Sequence, residues 1–341
     1  MSFTRLDPSD FVVSADSITA AIWTNYAPTL TTFFTSSVQE ASTAGDYYLS
    51  VFQTASSLSN AEIQFDIAYG NKYGSGSALY NSAVAENSPT KTVYGQYRSL
   101  VLGDETADFI FGNITASDFW AISISRNRYK ESLFPGVLTL KLSGSLGVIS
   151  LTDDSNYAST ITFKDSGRVF NLISGSAGVV NTSLNSNGWT PNSGSYGWFL
   201  PDIGTLILNP IALSGSVAAG GIGLNVSRSS NSDGLNIQRL YRAISGSTAA
   251  TFTLNSQETL TSDYVFVRPR SSEYNYSENP SFISGSTGVV LYDSFINNPQ
   301  TYITTVGLYN DSNDLLAVAK LSRPLKKDFT KEALIRVKLD F

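Results

Sequence analysis

The chain has 341 residues, 42% of them hydrophobic and only 15% charged, with a net charge of −6. It holds no cysteine and no histidine, which excludes disulfides, thiolate chemistry, an ordinary Ser-His-Asp triad and His-ligated transition metals together. The acidic balance argues against binding nucleic acid through its phosphates, and the apolar content argues against disorder.

Length alone accommodates two domains or one large β domain. With so few charges, the surface must be covered mainly by Ser, Thr, Asn and Gly. The opening residues Met1 to Pro8 lack the basic-then-apolar pattern of a signal peptide, and no run approaches the roughly 18 apolar residues that span a bilayer. A product that begins soluble and intracellular, with no membrane insertion, is expected.

In chain order, Asp16 or Ser17 could cap a short helical turn through Ile18, Ala21 and Ile22 before Pro28. Thereafter the texture is β. Tyr47 to Phe52 and Ile63 to Tyr69 are strand-like, the second with Ile63, Phe65, Ile67 and Tyr69 on one side. Phe119 to Ser125 and Val137 to Leu142 follow, separated by a Pro135-Gly136 turn. From 143 to 300, short apolar runs alternate with Ser/Gly/Asn clusters: Val169 to Ile173, Thr205 to Leu208, Gly223 to Val226, Thr251 to Leu254 and Tyr264 to Val267. This spacing predicts sandwich or barrel layers rather than βαβ units, without long amphipathic helices. The last residues, Ile335 to Phe341, alternate without a fault, placing Ile335, Val337, Leu339 and Phe341 on one face and Arg336, Lys338 and Asp340 on the other. They predict a terminal strand held in a sheet.

An apolar residue followed by Ser-Gly-Ser recurs, ending at Ser145, Ser176, Ser216, Ser247 and Ser286. The flanking residues do not repeat, so recurrent hairpin turns are a better account than a propeller or solenoid.

Acid pairs come first among residues that could carry chemistry. Asp153-Asp154 and Asp104-Glu105 read as solvated turn acids. Asn310 to Asp314 lacks the sixth-position Gly and twelfth-position acid of an EF-hand, and reads as a hairpin tip. Glu62, Asp66 and Glu131 could serve glycoside hydrolysis, yet nothing in the sequence pairs them. The Gly-rich stretches Gly74 to Ser77 and Gly220 to Gly223 lack the Lys-Ser/Thr of a phosphate loop. Sequons at Asn113, Asn181, Asn225, Asn275 and Asn310 are expected by chance in so Asn-rich a chain. Tyr94, Tyr97, Tyr129, Tyr274 and Tyr276 sit beside polar residues and could form a glycan-binding or subunit surface. Arg323 to Asp328 reads as an exposed charged turn, and Arg126, Arg128 and Lys130 as one side of a strand, open to inter-subunit salt bridges. No catalytic, cofactor-binding or metal-ligating residue is assigned, and no enzyme activity is expected.

Two stretches resemble a known family. One is Ala61 to Ser77 (Ala-Glu-Ile-Gln-Phe-Asp-Ile-Ala-Tyr-Gly-Asn-Lys-Tyr-Gly-Ser-Gly-Ser), continued by Ser88 to Lys91 and Tyr94 to Arg98. The other is Tyr302 to Asp311 with Leu315 to Ser322 (Leu-Leu-Ala-Val-Ala-Lys-Leu-Ser). Together these are similar to virion structural proteins of T4-like contractile-tailed bacteriophages of marine and cyanobacterial hosts, over about the first 135 and last 60 residues. The resemblance implies a structural component of a phage virion in the tail or baseplate periphery, serving assembly and tail-fibre attachment. Its expected partners are other virion structural proteins, in a symmetric homo-oligomeric ring, a trimer or hexamer. The alternative is a fibre or capsid-decoration protein that binds host polysaccharide.

The expected fold is all-β or nearly so, with antiparallel β-sandwich modules in several layers and few short helices. The expected division is an N-terminal β domain over 1–142, a Ser/Gly-rich β domain over 143–300, and C-terminal strands over 301–341 that complete a sheet.

Overall fold

The computed structural model describes residues 4–37, 48–76, 88–183, 186–229, 234–276 and 279–340. Antiparallel strands dominate. The first seven are β1 (Phe11–Ala21), β2 (Thr29–Leu30), β3 (Tyr48–Phe52), β4 (Ile63–Asn71), β5 (Phe109–Phe111), β6 (Ile114–Ala116) and β7 (Asp118–Ile124). Next come β8 (Ser132–Leu133), β9 (Thr139–Ser143), β10 (Val148–Asp153), β11 (Thr162–Lys164), β12 (Gly167–Ser176) and β13 (Val179–Val180). The remainder are β14 (Gly197–Leu200), β15 (Thr205–Leu208), β16 (Phe252–Thr253), β17 (Asn255–Val267), β18 (Thr301–Tyr309), β19 (Leu315–Lys327) and β20 (Ile335–Asp340).

The chain forms two compact units, one of Ile18–Glu258 and one of Met1–Ser17 with Thr259–Phe341. This differs from the expected division. The change of texture near 143 falls inside the β9–β10 hairpin, where the Gly144 amide donates to the Gly147 carbonyl at 2.8 Å. Small polar residues there make a tight turn within one sheet. Residues on both sides of 300 belong to the same unit.

In the larger unit a single sheet runs β2-β16-β9-β10-β12-β14-β15-β7-β4-β3, with β11 and β13 beside β12. Phe65 on β4 and Phe252 on β16 lie near opposite ends of this order, yet their rings meet edge-on at 5.4 Å. The sheet therefore curls, and its inner face closes on itself. Inward residues such as Phe65, Ile67, Trp120, Ile122, Leu206, Leu140 and Leu151 fill that interior. The outer face is also covered at its centre. Ala68, Phe119, Ala121, Trp198 and Ile207 form a second core with Phe109 and Phe111 of the β5–β6 hairpin. Strands buried on both faces read as continuous apolar runs, as Phe119 to Ile122 does.

Two helices close these cores, and both escape the strand-based reading. Helix Leu235–Ser245 buries Ile237, Leu240, Tyr241 and Ile244 in the inner core. That spacing follows one face of a 3.6-residue period. Helix Pro89–Leu102 starts with Pro in its first turn and ends at Gly103, whose φ of 62° suits the left-handed C-terminal position. It packs Val93, Tyr94 and Val101 on the outer face. Gly70 on β4 allows this approach, since a Cβ there would lie 2.8 Å from Phe119 Cζ and 3.1 Å from the Tyr94 backbone.

Residues 16–21, expected in a short helix, instead end β1. Val12, Val13, Ile18 and Thr19 are β-branched, and the neighbouring strand β17 offers the ladder that a short helix lacks. Gly223 to Val226 forms no strand; the Gly223 amide donates to Gly215 and the Leu224 amide to Leu213. The Ser-Gly-Ser copies divide by context. Those at 143–145 and 284–286 make turns, those at 214–216 and 245–247 end helices, and Ser174-Gly175-Ser176 lies within β12. A hydroxyl-Gly-hydroxyl triplet suits any of these termini, so the recurrence marks chain punctuation in general.

In the smaller unit β17 lies between β1 and β20. Val265 pairs with Val337 and Val267 with Ile335. Val265, Val306 and Val337 form a small core with Ile335, Leu339, Leu308, Ala319 and Leu321 around them. The terminal alternation therefore works as expected over Ile335–Asp340; Phe341 lies outside the described residues. β18 and β19 form a separate antiparallel hairpin.

Candidate functional site

The acid pair Asp153-Asp154 flagged in the sequence has a structural role. Asp153 is fully buried and accepts the Gly136 amide at 2.8 and 3.0 Å and the Ser155 amide at 3.2 Å. Asp154 accepts the Asn171 amide at 2.8 Å and its side-chain nitrogen at 3.0 Å. The expected solvated turn acids are thus anchors, Asp153 buried and Asp154 half-buried: Asp153 holds the Gly136 turn to β10, and Asp154 holds the loop after β10 to β12. Desolvation pushes both carboxyls above the ordinary aspartate value, outweighing the hydrogen bonds that pull the other way.

The sign of the pH effect follows. An acid whose folded pKa is raised contributes stability that is complete below its unfolded value and is lost as pH rises through the folded value. Relative to Asp153→Asn/Asp154→Asn, wild type should lose stability as pH rises from about 4 towards neutrality. Urea unfolding of both proteins across that range checks this. A difference that stays flat, or grows with pH, contradicts the placement of these acids.

Of the three acids considered for glycoside hydrolysis, Glu62 takes the Arg128 guanidinium and the Thr24 hydroxyl, each at 2.9 Å. Asp66 lies on β4 with one carboxyl oxygen buried and without a hydrogen-bond partner, and burial raises its pKa. Glu131 is on an exposed turn. They occupy three separate settings. Asp104 accepts the Thr106 amide and hydroxyl, which hold its carboxyl below the usual range. Asn310 caps the β18–β19 tip, its side-chain oxygen accepting the Ser312 and Asp314 amides at 3.0 and 2.7 Å. Among the described residues no three acids are grouped to hold a metal ion, and no helix is long and apolar enough to cross a membrane.

The tyrosines divide as well. Tyr94 and Tyr129 are buried and Tyr97 packs against the outer core, so three of the five are packing residues. Tyr274 and Tyr276 are exposed. Arg126 to Arg128 is a helical turn rather than a strand, and its charges find partners within the larger unit: Arg128 with Glu62, and Lys130 with Glu258 at 2.6 Å. The charges expected to face another subunit are thereby answered inside the chain. Lys327, placed by sequence in an exposed turn, is fully buried. Its ammonium donates to the Ser271 carbonyl, Asn275 Oδ1 and the Asp328 carbonyl at 2.9, 2.9 and 3.1 Å. One buried cluster had no sequence signal at all: Asp118 accepts the Tyr69 hydroxyl at 2.9 Å and the Arg228 Nε at 2.9 Å. Burial and the Asp118 charge push the Tyr69 phenol upward.

A groove of about 610 Å³ in the larger unit is lined by Ser150, Ser174, Ser176, Asn181, Val179 and Val217, among others. Among the described residues its lining is hydroxyl, amide and aliphatic, without a titratable side chain. Such a wall can donate and accept neutral hydrogen bonds, but it offers no acid or base to a reaction.

The smaller unit presents a different surface. β1 exposes Phe11, Val12 and Val13, on both faces of the strand. The β18–β19 hairpin exposes Tyr302, Tyr309, Leu315, Leu316 and Val318, with Leu316 at 68%. The three-valine core beneath is small. Single exposed apolar residues are ordinary, whereas several together mark an interaction surface. The protein is thus an antiparallel β protein whose smaller unit exposes apolar strand residues. Compared with known proteins, the chain matches no family model, no curated protein and no solved structure.

Proposed function

We propose that the protein is a non-catalytic structural component of a contractile-tailed phage virion, in the tail or baseplate periphery, where it serves assembly and tail-fibre attachment. The larger unit is the rigid body, and the smaller unit is the contact module that meets other virion structural proteins and further copies of this chain in a trimeric or hexameric arrangement. The observation that carries the reading is the exposure of apolar residues on two strands of the smaller unit, Phe11 to Val13 on β1 and Leu315, Leu316 and Val318 on β19. Association would bury them and stabilise a module whose own core is slight. The likeness of Ala61 to Ser77 and Tyr302 to Ser322 to virion proteins of T4-like phages supplies the setting.

Quantitative mass spectrometry of purified particles tests this. The chain should be present in stoichiometric amount, at a copy number divisible by three. Particles that contain none of it would remove the reading.

A further inference from the structure

The two edges of the β18–β19 hairpin differ in kind. β19 carries Lys320, Arg323, Pro324, Lys326 and Lys327. Its register against β18 jumps from Leu325 opposite Ile303 to Lys320 opposite Thr305. Charges, proline and bulges are the devices by which an edge strand avoids recruiting another. β18, with the sequence Thr-Tyr-Ile-Thr-Thr-Val-Gly-Leu-Tyr, has neither a charge nor a proline. Among the described residues it pairs on one side only, with β19. Alternate amides and carbonyls along its other side therefore face outward as a template for one more strand. Packing of Val306 and Leu308 on the small core holds one face of the hairpin, and a third strand would satisfy the open ladder at its edge.

We propose that β18 is a homotypic docking edge: β18 of a second copy of this chain adds to it antiparallel, across a two-fold axis at Thr305. The result is a four-stranded sheet with β19 of each copy on the outside. The choice of a second copy rests on self-complementarity. An axis perpendicular to the sheet keeps every side chain on its own face, so opposed residues are those equidistant from Thr305. Thr304 then meets Val306 of the second copy, Ile303 meets Gly307, Tyr302 meets Leu308, and Thr301 meets Tyr309. All nine residues are used. Thr305 meets its own copy, Thr304 meets Val306 and Thr301 meets Tyr309, which are β-branched and aromatic pairs of the kind that strengthen cross-strand contacts, while Tyr302 packs against Leu308 and only Ile303 faces a glycine. No like charges are opposed along this edge. Self-pairing through β19 would set Lys320, Arg323 and Lys326 against their own kind, and β20 would do the same with Arg336 and Lys338. The contact deepens, and rests on, the reading of the smaller unit as the contact module; three such pairs around a three-fold axis give six copies.

Sedimentation equilibrium of the full chain tests the proposal, with Thr305→Lys, Thr305→Glu and their equimolar mixture. Wild type should dimerise. Each single variant sets like charges face to face at the axis, and its dimer dissociation constant should rise by about tenfold or more. Opposite charges meet in the mixture, which should restore pairing. Thr305→Glu lies opposite Lys320 within its own hairpin and favours the folded hairpin, whereas Thr305→Lys sets like charges against Lys320, and circular dichroism verifies each fold. A wild type that stays monomeric, a dimer that survives in both folded variants, or a mixture that stays dissociated would each overturn the proposal. Absence from particles with the dimer intact would instead remove the virion reading alone.

Discussion

Replacing Trp120 by alanine should cost the larger unit about 3–5 kcal/mol, a large part of the stability of a typical domain. Trp120 sits on β7 between β4 and β15, fully buried. Its ring lies 6.2 Å from that of Tyr69, and its Nε1 donates to the Asn236 carbonyl at 2.8 Å. Alanine would therefore leave a cavity in the inner core. It would also strip a donor from a carbonyl at the start of the helix that fills that core. Trp120→Phe keeps most of the volume and loses only the hydrogen bond, so its cost should be about 1–3 kcal/mol. Urea denaturation of the three proteins measures both differences. A loss below about 1 kcal/mol for the alanine variant would contradict the packing described for β7.

Period-two patterning explains why much of this architecture is legible in the sequence. Ile335 to Asp340 pairs as its alternation demands, and Ile63 to Tyr69 turns Phe65, Ile67 and Tyr69 into one core. The two helices were not legible because their apolar faces are interrupted. In Pro89–Leu102 the sequence reads Thr-Lys-Thr-Val-Tyr-Gly-Gln-Tyr, where Gly95 and two threonines weaken a helical reading. The available signals were Ser88-Pro89 at one end and Gly103 at the other. In Leu235–Ser245 the spacing of Ile237, Leu240, Tyr241 and Ile244 was present, but set among Ser- and Gly-rich turns. The division into units could not be read at all. It depends on β1, from the start of the chain, lying beside β17 from near residue 260, and no local pattern encodes a pairing at that separation. Side-chain roles failed for the related reason that burial is a tertiary property. Asp153 and Lys327 have polar sequence neighbours and are nevertheless fully buried.

Introducing lysine at Leu316 and Val318 together should leave the isolated chain nearly as stable as wild type while preventing its incorporation into particles. Both side chains are exposed in the free chain, at 68% and 54%, so little packing is lost on replacement, and surface changes of this kind usually stay within about 0.5 kcal/mol. The opposite holds if a neighbouring chain covers them. Complete burial of an aliphatic side chain is worth about 1.5–3 kcal/mol, and these two still have half to two-thirds of theirs to bury, so losing both weakens association by about 2–4 kcal/mol, or roughly thirtyfold or more. Desolvating two unpaired ammonium groups adds to that loss. Neither position lies on the β18 edge, so self-pairing through Thr305 should persist, which separates the apolar face from the edge. Thermal melts read the stability, and competition between tagged wild-type and variant chains during particle assembly reads the incorporation. Equal incorporation would mean that the exposed leucine and valine are solvated in the particle as they are in the free chain, and the contact would have to be sought on another face.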